Sequence, residues 1–221
     1  MPRCDVLNPS PRCTSCHLPP RWCVCAAHRP VVCALAIDVL MHRRERWRPS
    51  STGRLIQRVF PRSRQHFTTC ERPLDAATVR LPGRELWILH PAGEAVPAGA
   101  TPEGVQVLLL DGAWREATDM RREVGGWGRV VSLPMAGESR YWLRAQQDGG
   151  RFSTVEALMF LLGALGLERE RAELEVQFEL HVYAGLRARG RKTVAEEFLA
   201  TSPLLAALPE LLAQLQTRRP R

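Results

Sequence analysis

The sequence lacks a long apolar run, a secretory signal and the common nucleotide-binding and hydrolase motifs. Its longest apolar stretch, 157–167, contains two glycines and is shorter than the roughly 18 residues that a membrane-spanning helix needs. Residues 1–12 carry no apolar core of a signal peptide. No P-loop, G-x-G-x-x-G, G-x-S-x-G or H-E-x-x-H motif is present. We therefore expect a protein without a membrane span that acts in the cytoplasm.

Length and composition are typical of a folded globular protein. The chain has 221 residues, of which 45% are hydrophobic and 24% charged, and this balance excludes a disordered or fibrous protein. A chain of this length buries enough surface for a full core. We expect one α/β domain over 31–221 with a small N-terminal appendage over 1–30.

The charge is strongly basic, and almost all of it is arginine. The chain has 31 basic and 23 acidic residues, a net charge of +8, and Lys192 is its only lysine. Arginine binds phosphate through two parallel hydrogen bonds and stacks on bases. The basic excess favours an anionic partner, most commonly nucleic acid, although a surface tuned for solubility explains the charge equally well.

Four of the seven cysteines form a C-x2-C-x6-C-x-C pattern near the N-terminus. A C-x2-C turn and a C-x-C segment can each supply two thiolates to a tetrahedral four-sulfur site. The odd number of cysteines and the missing secretory signal argue against a disulfide framework. We therefore expect a structural zinc knuckle, with an iron–sulfur cluster as the alternative. Its ligands would be Cys13, Cys16, Cys23 and Cys25, and the non-ligands would be His17, His28, Cys4, Cys33 and Cys70.

Buried strands alternate with helices along the rest of the chain. Apolar runs predict strands over 31–41, 85–90, 106–110 and 129–133. Helices are predicted over 50–60, 113–124 and 153–165. The segment 173–182 fits a strand or a helix, and we favour a helix; a capping box at Thr193 then opens a last helix. This alternation indicates an α/β fold with a mainly parallel sheet and flanking helices, whose ligands bind beyond the strand C-termini.

Three polar segments follow strand ends, and the first two also have a purely structural explanation. Asp111 ends a strand and precedes a helix that begins near Trp114, but aspartate is also a common helix N-cap. Ser153 opens a Ser-x-x-Glu capping box. We expect the segment 89–95 to be a strand-to-loop turn whose backbone amides can meet a ligand. None of the three segments defines an activity alone.

Seven segments occur in the order of the motifs of one protein family. They are C-x2-C-x6-C-x-C at 13–25, His42-x-x-Glu45, S-T-G-R at 51–54, L-H-P-A-G-E-A at 89–95, D-G-A-W-R-E-A at 111–117, Y-W-L-R at 141–144 and S-T-V-E-A at 153–157. With these segments the chain resembles the DTW-domain proteins, which are S-adenosylmethionine-dependent tRNA-uridine aminocarboxypropyltransferases. Two positions depart from the family motifs, because Ala113 replaces a threonine and Trp142 replaces an arginine.

The resemblance implies a SPOUT-like knotted fold and a transfer of the 3-amino-3-carboxypropyl group of S-adenosylmethionine to N3 of a uridine in tRNA. It implies catalytic roles for Asp111, as the base for the N3 proton or the group that stabilises the N3 anion, and for Trp114, as a stacking surface for the uracil or the adenine. The implied S-adenosylmethionine site comprises Thr52, His90, Pro91, Gly93, Leu110, Ser153 and Thr154. The implied RNA contacts are Arg140, Arg144 and Arg151, together with the zinc knuckle and its Arg12, Arg21 and Trp22. A solvated surface explains the arginines equally well, and structural support of the neighbouring strand explains the knuckle equally well.

Two other functions remain open from the sequence. A SPOUT-type RNA methyltransferase would have the same fold and cofactor but would turn the methyl group of the sulfonium toward the nucleophile. A non-enzymatic zinc-dependent RNA-binding factor would keep the knuckle around a decayed site, an interpretation that Ala113 makes reasonable. The sequence does not fix the oligomeric state, and a monomer is favoured.

Overall fold

The structure, a computed structural model, describes residues 11–68, 74–144 and 151–217. Its centre is a sheet of the five strands β1 (Ala36–Met41), β2 (Arg64–Phe67), β3 (Glu85–Ala95), β4 (Val105–Asp111) and β5 (Arg129–Ser132). The strand order is β2-β1-β4-β3-β5, and every neighbouring pair is parallel. The predicted α/β class with a parallel sheet is confirmed. Cys4 and Cys70 lie outside the described residues.

The helices flank this sheet. They are α1 (Thr52–Val59), α2 (Ala76–Val79), α3 (Trp114–Val124), α4 (Thr154–Ala164), α5 (Glu168–Ala188), α6 (Lys192–Ala200), α7 (Leu204–Ala207) and α8 (Pro209–Thr217). The helical choice for 173–182 is confirmed, since Leu174, Phe178 and Val182 are fully buried along one side of α5. The prediction of a capping box at Thr193 is wrong, because α6 already begins at Lys192 and its N-terminus has no side-chain cap. The predicted last helix is instead three helices, of which α8 begins at Pro209.

Apolar side chains cover both faces of the sheet. On one face, Val107 and Leu109 of β4 join the larger core with α1, α4 and α5. On the other face, Leu108 and Leu110 join a smaller core with α2 and α3. Successive residues of β4 therefore enter opposite cores, which explains why its apolar run is continuous rather than alternating.

The edge strand β2 has no counterpart among the predicted elements, because its sequence, R-Q-H-F, has no apolar run. Arg64 and His66 of β2 contact the buried carboxylate of Asp38 in β1, at 2.8 and 2.6 Å. Gln106 of β4 donates to the same carboxylate at 2.8 Å. The acidic residue in an apolar strand is thus paired on both neighbouring strands, as a buried charge must be.

The N-terminal knuckle packs into the larger core. Leu18, Trp22 and Val24 are buried in that core. The side chain of Gln177 in α5 bonds both backbone groups of Arg29, at 3.0 Å to the amide and 2.8 Å to the carbonyl. The knuckle therefore folds against α5, and the division of the chain at residue 30 stays a prediction.

No helix within 11–68, 74–144 or 151–217 is long and apolar enough to cross a membrane. The sheet and its helices agree with the α/β part of the expected fold. The knot that a SPOUT-like fold would contain stays a prediction.

Candidate active site and metal centre

A cavity of about 320 Å³ opens at the C-terminal edge of the sheet. Leu89 of β3 and Asp111 of β4 line it, together with Leu133, which follows β5. The neighbouring strands β1 and β4 connect to strands at opposite edges of the sheet: the chain runs from β1 to β2 at one edge and from β4 to β5 at the other. Open α/β sheets bind ligands in the crevice at such a point, and the cavity volume suits a small molecule.

Three helices begin at the wall of this cavity. Thr52, Trp114 and Thr154 are the first residues of α1, α3 and α4, and all three line the cavity. The first turn of a helix presents free N–H groups and the positive end of the helix dipole. The cavity wall is therefore suited to a ligand with a carboxylate or other acceptor groups.

The start of α3 differs from the starts of the other two helices. Ser51 and Ser153 cap α1 and α4 through their hydroxyl oxygens, whereas the N-cap of α3 is Ala113, which has no polar side chain. Only the side chain of Glu116 contributes a cap there, by accepting from the Ala113 amide at 2.8 Å. Ala113, which replaces the threonine of the family motif, is thus the N-cap residue of a helix that begins at the cavity wall.

Asp111 has both carboxylate oxygens hydrogen-bonded. Oδ2 accepts from the Ser51 hydroxyl at 3.0 Å, and Oδ1 accepts from the Thr154 hydroxyl at 2.7 Å. The residue lines the cavity but is only 4% exposed. Burial raises the pKa of Asp111, while the hydrogen bonds from Thr154 and Ser51 act in the opposite direction. The carboxylate therefore ties the starts of α1 and α4 together and does not cap α3.

Two motif glycines are required for steric reasons. A Cβ at Gly53 would lie 2.6 Å from Asp111 Oδ2, so only glycine lets the carboxylate reach the start of α1. A Cβ at Gly93 would lie 2.5 Å from the carbonyl carbon of Val131 in β5, next to the register shift between Leu89 and Glu94. Gly93 therefore serves strand packing and does not line the cavity. The predicted turn over 89–95 is wrong, because β3 continues to Ala95 and pairs with β5 again after the register shift.

A buried carboxylate holds a cation at the cavity. Glu45 is completely buried and pairs with Arg144 and, at 2.7 Å, with Arg48. Arg144 lines the cavity together with Tyr141, whose hydroxyl donates to the Ser50 carbonyl. Burial raises the pKa of Tyr141 to about 12, so its phenol stays neutral. The cavity thus contains a fixed positive charge beside neutral hydroxyl groups.

The structure brings ten of the predicted site residues together. The lining includes Asp111, Trp114, Thr52, His90, Pro91, Leu110, Ser153, Thr154, Arg144 and Arg151. The guanidinium of Arg151 lies 5.5 Å from the centroid of the Trp114 ring, which is 39% exposed. A cation and an exposed aromatic ring therefore meet at this cavity.

Two predicted RNA contacts lie elsewhere. Arg140 makes two hydrogen bonds of 2.8 Å to Glu179 of α5 and one of 3.0 Å to the Phe198 carbonyl of α6. Its guanidinium therefore joins two helices and does not line the cavity. Trp22 is buried under the guanidinium groups of Arg21 and Arg187, so its ring is not available to RNA.

The four cysteines of the knuckle converge on one point. Their Sγ atoms all lie within 4.8 Å of one another, with 3.8 Å between Cys13 and Cys25 and 3.7 Å between Cys16 and Cys23. A tetrahedral zinc with Zn–S bonds of about 2.3 Å places its sulfur atoms about 3.8 Å apart. A cluster of several irons would hold the thiolates farther apart. The four cysteines therefore could bind zinc.

Helix α1 connects the metal centre to the cavity. Arg54 donates to the Ser15 carbonyl at 2.8 Å, and Arg58 contacts Cys25 Sγ at 3.6 Å. Hydrogen bonding from Cys16 and the Arg58 guanidinium lower the pKa of Cys25 to about 4, which favours the thiolate that a metal binds. The same helix presents Thr52 to the cavity.

Several residues of the site were not assigned roles from the sequence. Ser51, Glu45 and Tyr141 belong to the motifs quoted above, and this membership was the available signal for them. The apolar lining residues Met135 and Phe152 lie in loops, where no spacing pattern marks a wall residue.

The fold and the site define an α/β protein with a cavity of small-molecule size at its strand ends and a cluster of four cysteines that could bind zinc. The DTW domain matches residues 10–184, which is most of the chain. The chain therefore belongs to the DTW domain family, and this membership supports a tRNA-modifying function with tRNA as the substrate. No solved structure matches the chain.

Proposed function

We propose that the protein is an S-adenosylmethionine-dependent tRNA-uridine aminocarboxypropyltransferase. In this reaction uridine N3 bonds to the γ-carbon of the methionine moiety, the bond from that carbon to sulfur breaks, and methylthioadenosine leaves. The N3 proton passes to a base. The observation that carries the proposal is the buried Asp111 carboxylate, bonded to Ser51 and Thr154 at the cavity wall.

The residues at the cavity fit the proposed donor. Its sulfonium supplies three electrophilic carbons, of which the one facing the nucleophile reacts. The starts of α1, α3 and α4 offer N–H groups to the donor carboxylate, and Arg144 offers a fixed charge. The side chains of Pro91 and Leu110 give an apolar surface for an adenine ring. Asp111 would also attract the sulfonium charge.

Asp111 and Thr154 are the proposed route for the N3 proton. Asp111 is almost closed to solvent, whereas Thr154 is less buried, lines the cavity and donates from its hydroxyl to Asp111 Oδ1 at 2.7 Å. The hydroxyl of Thr154 can accept the N3 proton while passing its own to the carboxylate. Burial raises the pKa of Asp111, which makes the carboxylate a stronger base than an exposed one.

Trp114 and Arg151 are the proposed contacts of the target nucleotide. A half-exposed indole beside a guanidinium is suited to stack on an unpaired base and to neutralise its phosphate. The zinc that the four cysteines could bind has a structural role in this proposal, because it fixes the knuckle against α1. Action in the cytoplasm as a monomer belongs to the same proposal, and light scattering tests the oligomeric state.

Product analysis tests the proposed reaction. We expect mass spectrometry of tRNA nucleosides, after incubation with the protein and S-adenosylmethionine, to show uridine carrying an added aminocarboxypropyl group. The small-molecule product is then methylthioadenosine. Formation of S-adenosylhomocysteine would instead identify an RNA methyltransferase. Binding of tRNA without measurable affinity for S-adenosylmethionine would identify a non-enzymatic RNA-binding factor.

A further inference from the structure

An exposed tryptophan lies outside the cavity, in the segment that follows β1. Trp47 is 66% exposed, compared with 39% for Trp114 at the cavity. It does not line the cavity, and the proposed chemistry does not use it. A large aromatic side chain left in water on a folded protein marks an interaction surface more often than a scattered aliphatic residue does.

Neighbouring side chains hold the indole in place. The guanidinium of Arg46 lies 5.0 Å from the ring centroid of Trp47 and 5.1 Å from that of Phe67. The imidazole of His17 lies 5.6 Å from Trp47, centroid to centroid, with the rings tilted by 36°. His17 has a φ of 60°, a left-handed conformation at the turn of the knuckle. We call His17, Arg46 and Trp47 the Trp47 platform.

The surface around the Trp47 platform is basic. The segment 42–49 contains Arg43, Arg44, Arg46 and Arg48 against one acidic residue, Glu45, which is buried and pairs with Arg48 and Arg144. Arg44 contacts Glu116 of α3 at 3.4 Å, so the segment stays net basic although Arg44 and Arg48 are paired. Arg12 donates to the His17 carbonyl at 3.1 Å. Arg12 also lines a second cavity, of about 260 Å³, together with Arg189. These cations concentrate positive charge where a nucleic-acid backbone can approach.

Hydrogen bonds connect the chain before and after the Trp47 platform to residues of the first cavity. The His42 amide donates to the Asp111 carbonyl at 2.9 Å, and the Ser50 carbonyl accepts from the Tyr141 hydroxyl. Asp111 and Tyr141 both line that cavity. A strand of RNA with one nucleotide in the cavity can therefore place a neighbouring one along 42–49.

We propose that the Trp47 platform binds a second unpaired nucleotide of the substrate RNA. Its base stacks on the indole, and the arginines of 42–49 neutralise its phosphates. This inference rests on the proposed function, because it takes RNA as the substrate. A uridine that enters the cavity leaves its stacked neighbours, and the platform gives one of those neighbours a new stacking partner.

Direct binding measurements test the platform. Labelled tRNA is titrated with the wild-type protein and with Trp47→Ala, Trp47→Tyr and Arg46→Gln. The controls are Leu205→Ala, which removes a side chain that is 53% exposed on α7, and Arg169→Gln, which removes an exposed charge from the first turn of α5. Affinity for S-adenosylmethionine is measured for every variant by calorimetry.

We expect Trp47→Ala to weaken tRNA binding by about tenfold, because stacking on an aromatic side chain contributes this much per base. Trp47→Tyr keeps a stacking face and should bind like the wild type, as should both controls.

Arg46→Gln should reduce the slope of log Kd against log salt by about one, since one phosphate contact is lost. Trp47→Ala removes no charge and should leave that slope unchanged. Affinity for S-adenosylmethionine should not change in any variant.

The outcomes separate this inference from the proposed function. If Trp47→Ala binds tRNA with the wild-type affinity, the proposed role of the Trp47 platform is overturned, even where the wild-type protein modifies tRNA normally. A weakened Trp47→Ala that has also lost its affinity for S-adenosylmethionine overturns it too, because the residue then supports the fold. Failure of the proposed function is visible in the wild-type protein, as the absence of both modified uridine and affinity for S-adenosylmethionine.

Discussion

The metal centre and the cavity are assembled in opposite ways. The four cysteines lie between residues 13 and 25, so their local spacing already brings the thiolates together. The hydroxyls that hold Asp111 belong to Ser51 and Thr154, which are 60 and 43 residues away along the chain. A metal centre can thus form from one short segment, whereas the cavity exists only after the sheet has ordered three helix starts.

Because of this difference, substitutions should disrupt the structure of the two regions in different ways. With zinc bound, as proposed, the knuckle would depend on a single ion, and removal of that ion would affect every ligand at once. The cavity depends on several buried hydrogen bonds, and a substitution there removes one of them. Helix α1 contacts both regions, through Thr52 at the cavity and Arg58 at Cys25.

Removal of two metal ligands should have the largest effect. Cys23→Ser combined with Cys25→Ser should abolish zinc binding, because two oxygens replace thiolates of a four-sulfur site. Structural zinc contributes on the order of 10 kcal/mol to folding, so we expect a large fall in melting temperature. Metal analysis and thermal denaturation measure both effects. Cys33→Ser, outside the cluster, is the matched control, and a full zinc content in the double variant would refute the four-thiolate site.

Removal of the Thr154 hydroxyl should affect the reaction more than the fold. Thr154→Val keeps the shape of the side chain but interrupts the proposed proton route, and general-base contributions are about 10²- to 10⁴-fold in rate. We expect a loss in that range in single-turnover transfer at saturating S-adenosylmethionine. Thr154→Ser restores the hydroxyl and should restore most of the rate. Equal rates for the valine and wild-type proteins would contradict the proton route.

Local patterns predicted most elements, but not the contacts between distant ones. The apolar run of β4 placed Asp111 at a strand end, and the cysteine spacing identified the four thiols that the fold brings together. The strand β2 was missed because its polar residues pair with Asp38, a partner that no local pattern indicates. Arg140 resembled a phosphate-binding residue in sequence, yet its partner Glu179 is 39 residues away. Such pairings depend on the folded arrangement of helices.

Acid should destabilise the side of the core that supports the metal centre. Burial, reinforced by Arg58, lowers the pKa of His28 to about 4 and that of His181 well below its usual range. Below about pH 6.5 the unfolded chain therefore binds more protons, and stability present at neutral pH is lost as the pH falls. We expect the free energy of unfolding to fall by about 1–3 kcal/mol between about pH 7.5 and 5.5.

Chemical denaturation at the two pH values, with zinc in excess, measures this loss. His181→Gln removes one of the two titrating groups, so its stability should change less with pH than that of the wild type. A wild-type stability that stays constant or rises on acidification would show that these histidines do not control it.

Restoring the motif threonine should have the smallest effect. Ala113→Thr supplies a hydroxyl at the N-cap of α3, and a side-chain cap of this kind contributes about 1 kcal/mol. Ala113→Val has the same shape without the hydroxyl and is the matched control. We expect a melting temperature about 2–4 °C higher for the threonine variant than for the valine variant. Equal melting temperatures would show that α3 does not need the cap.

The most direct test of the account is the rate at which Asp111→Asn modifies tRNA. The substitution keeps the size of the side chain but removes the basic carboxylate, and Asp119→Asn on the exposed side of α3 is the matched control. We expect mass spectrometry to show no aminocarboxypropyl-uridine with Asp111→Asn, while tRNA binding and zinc content stay at wild-type levels. Modification at the wild-type rate by this variant would contradict the proposed role of the buried carboxylate.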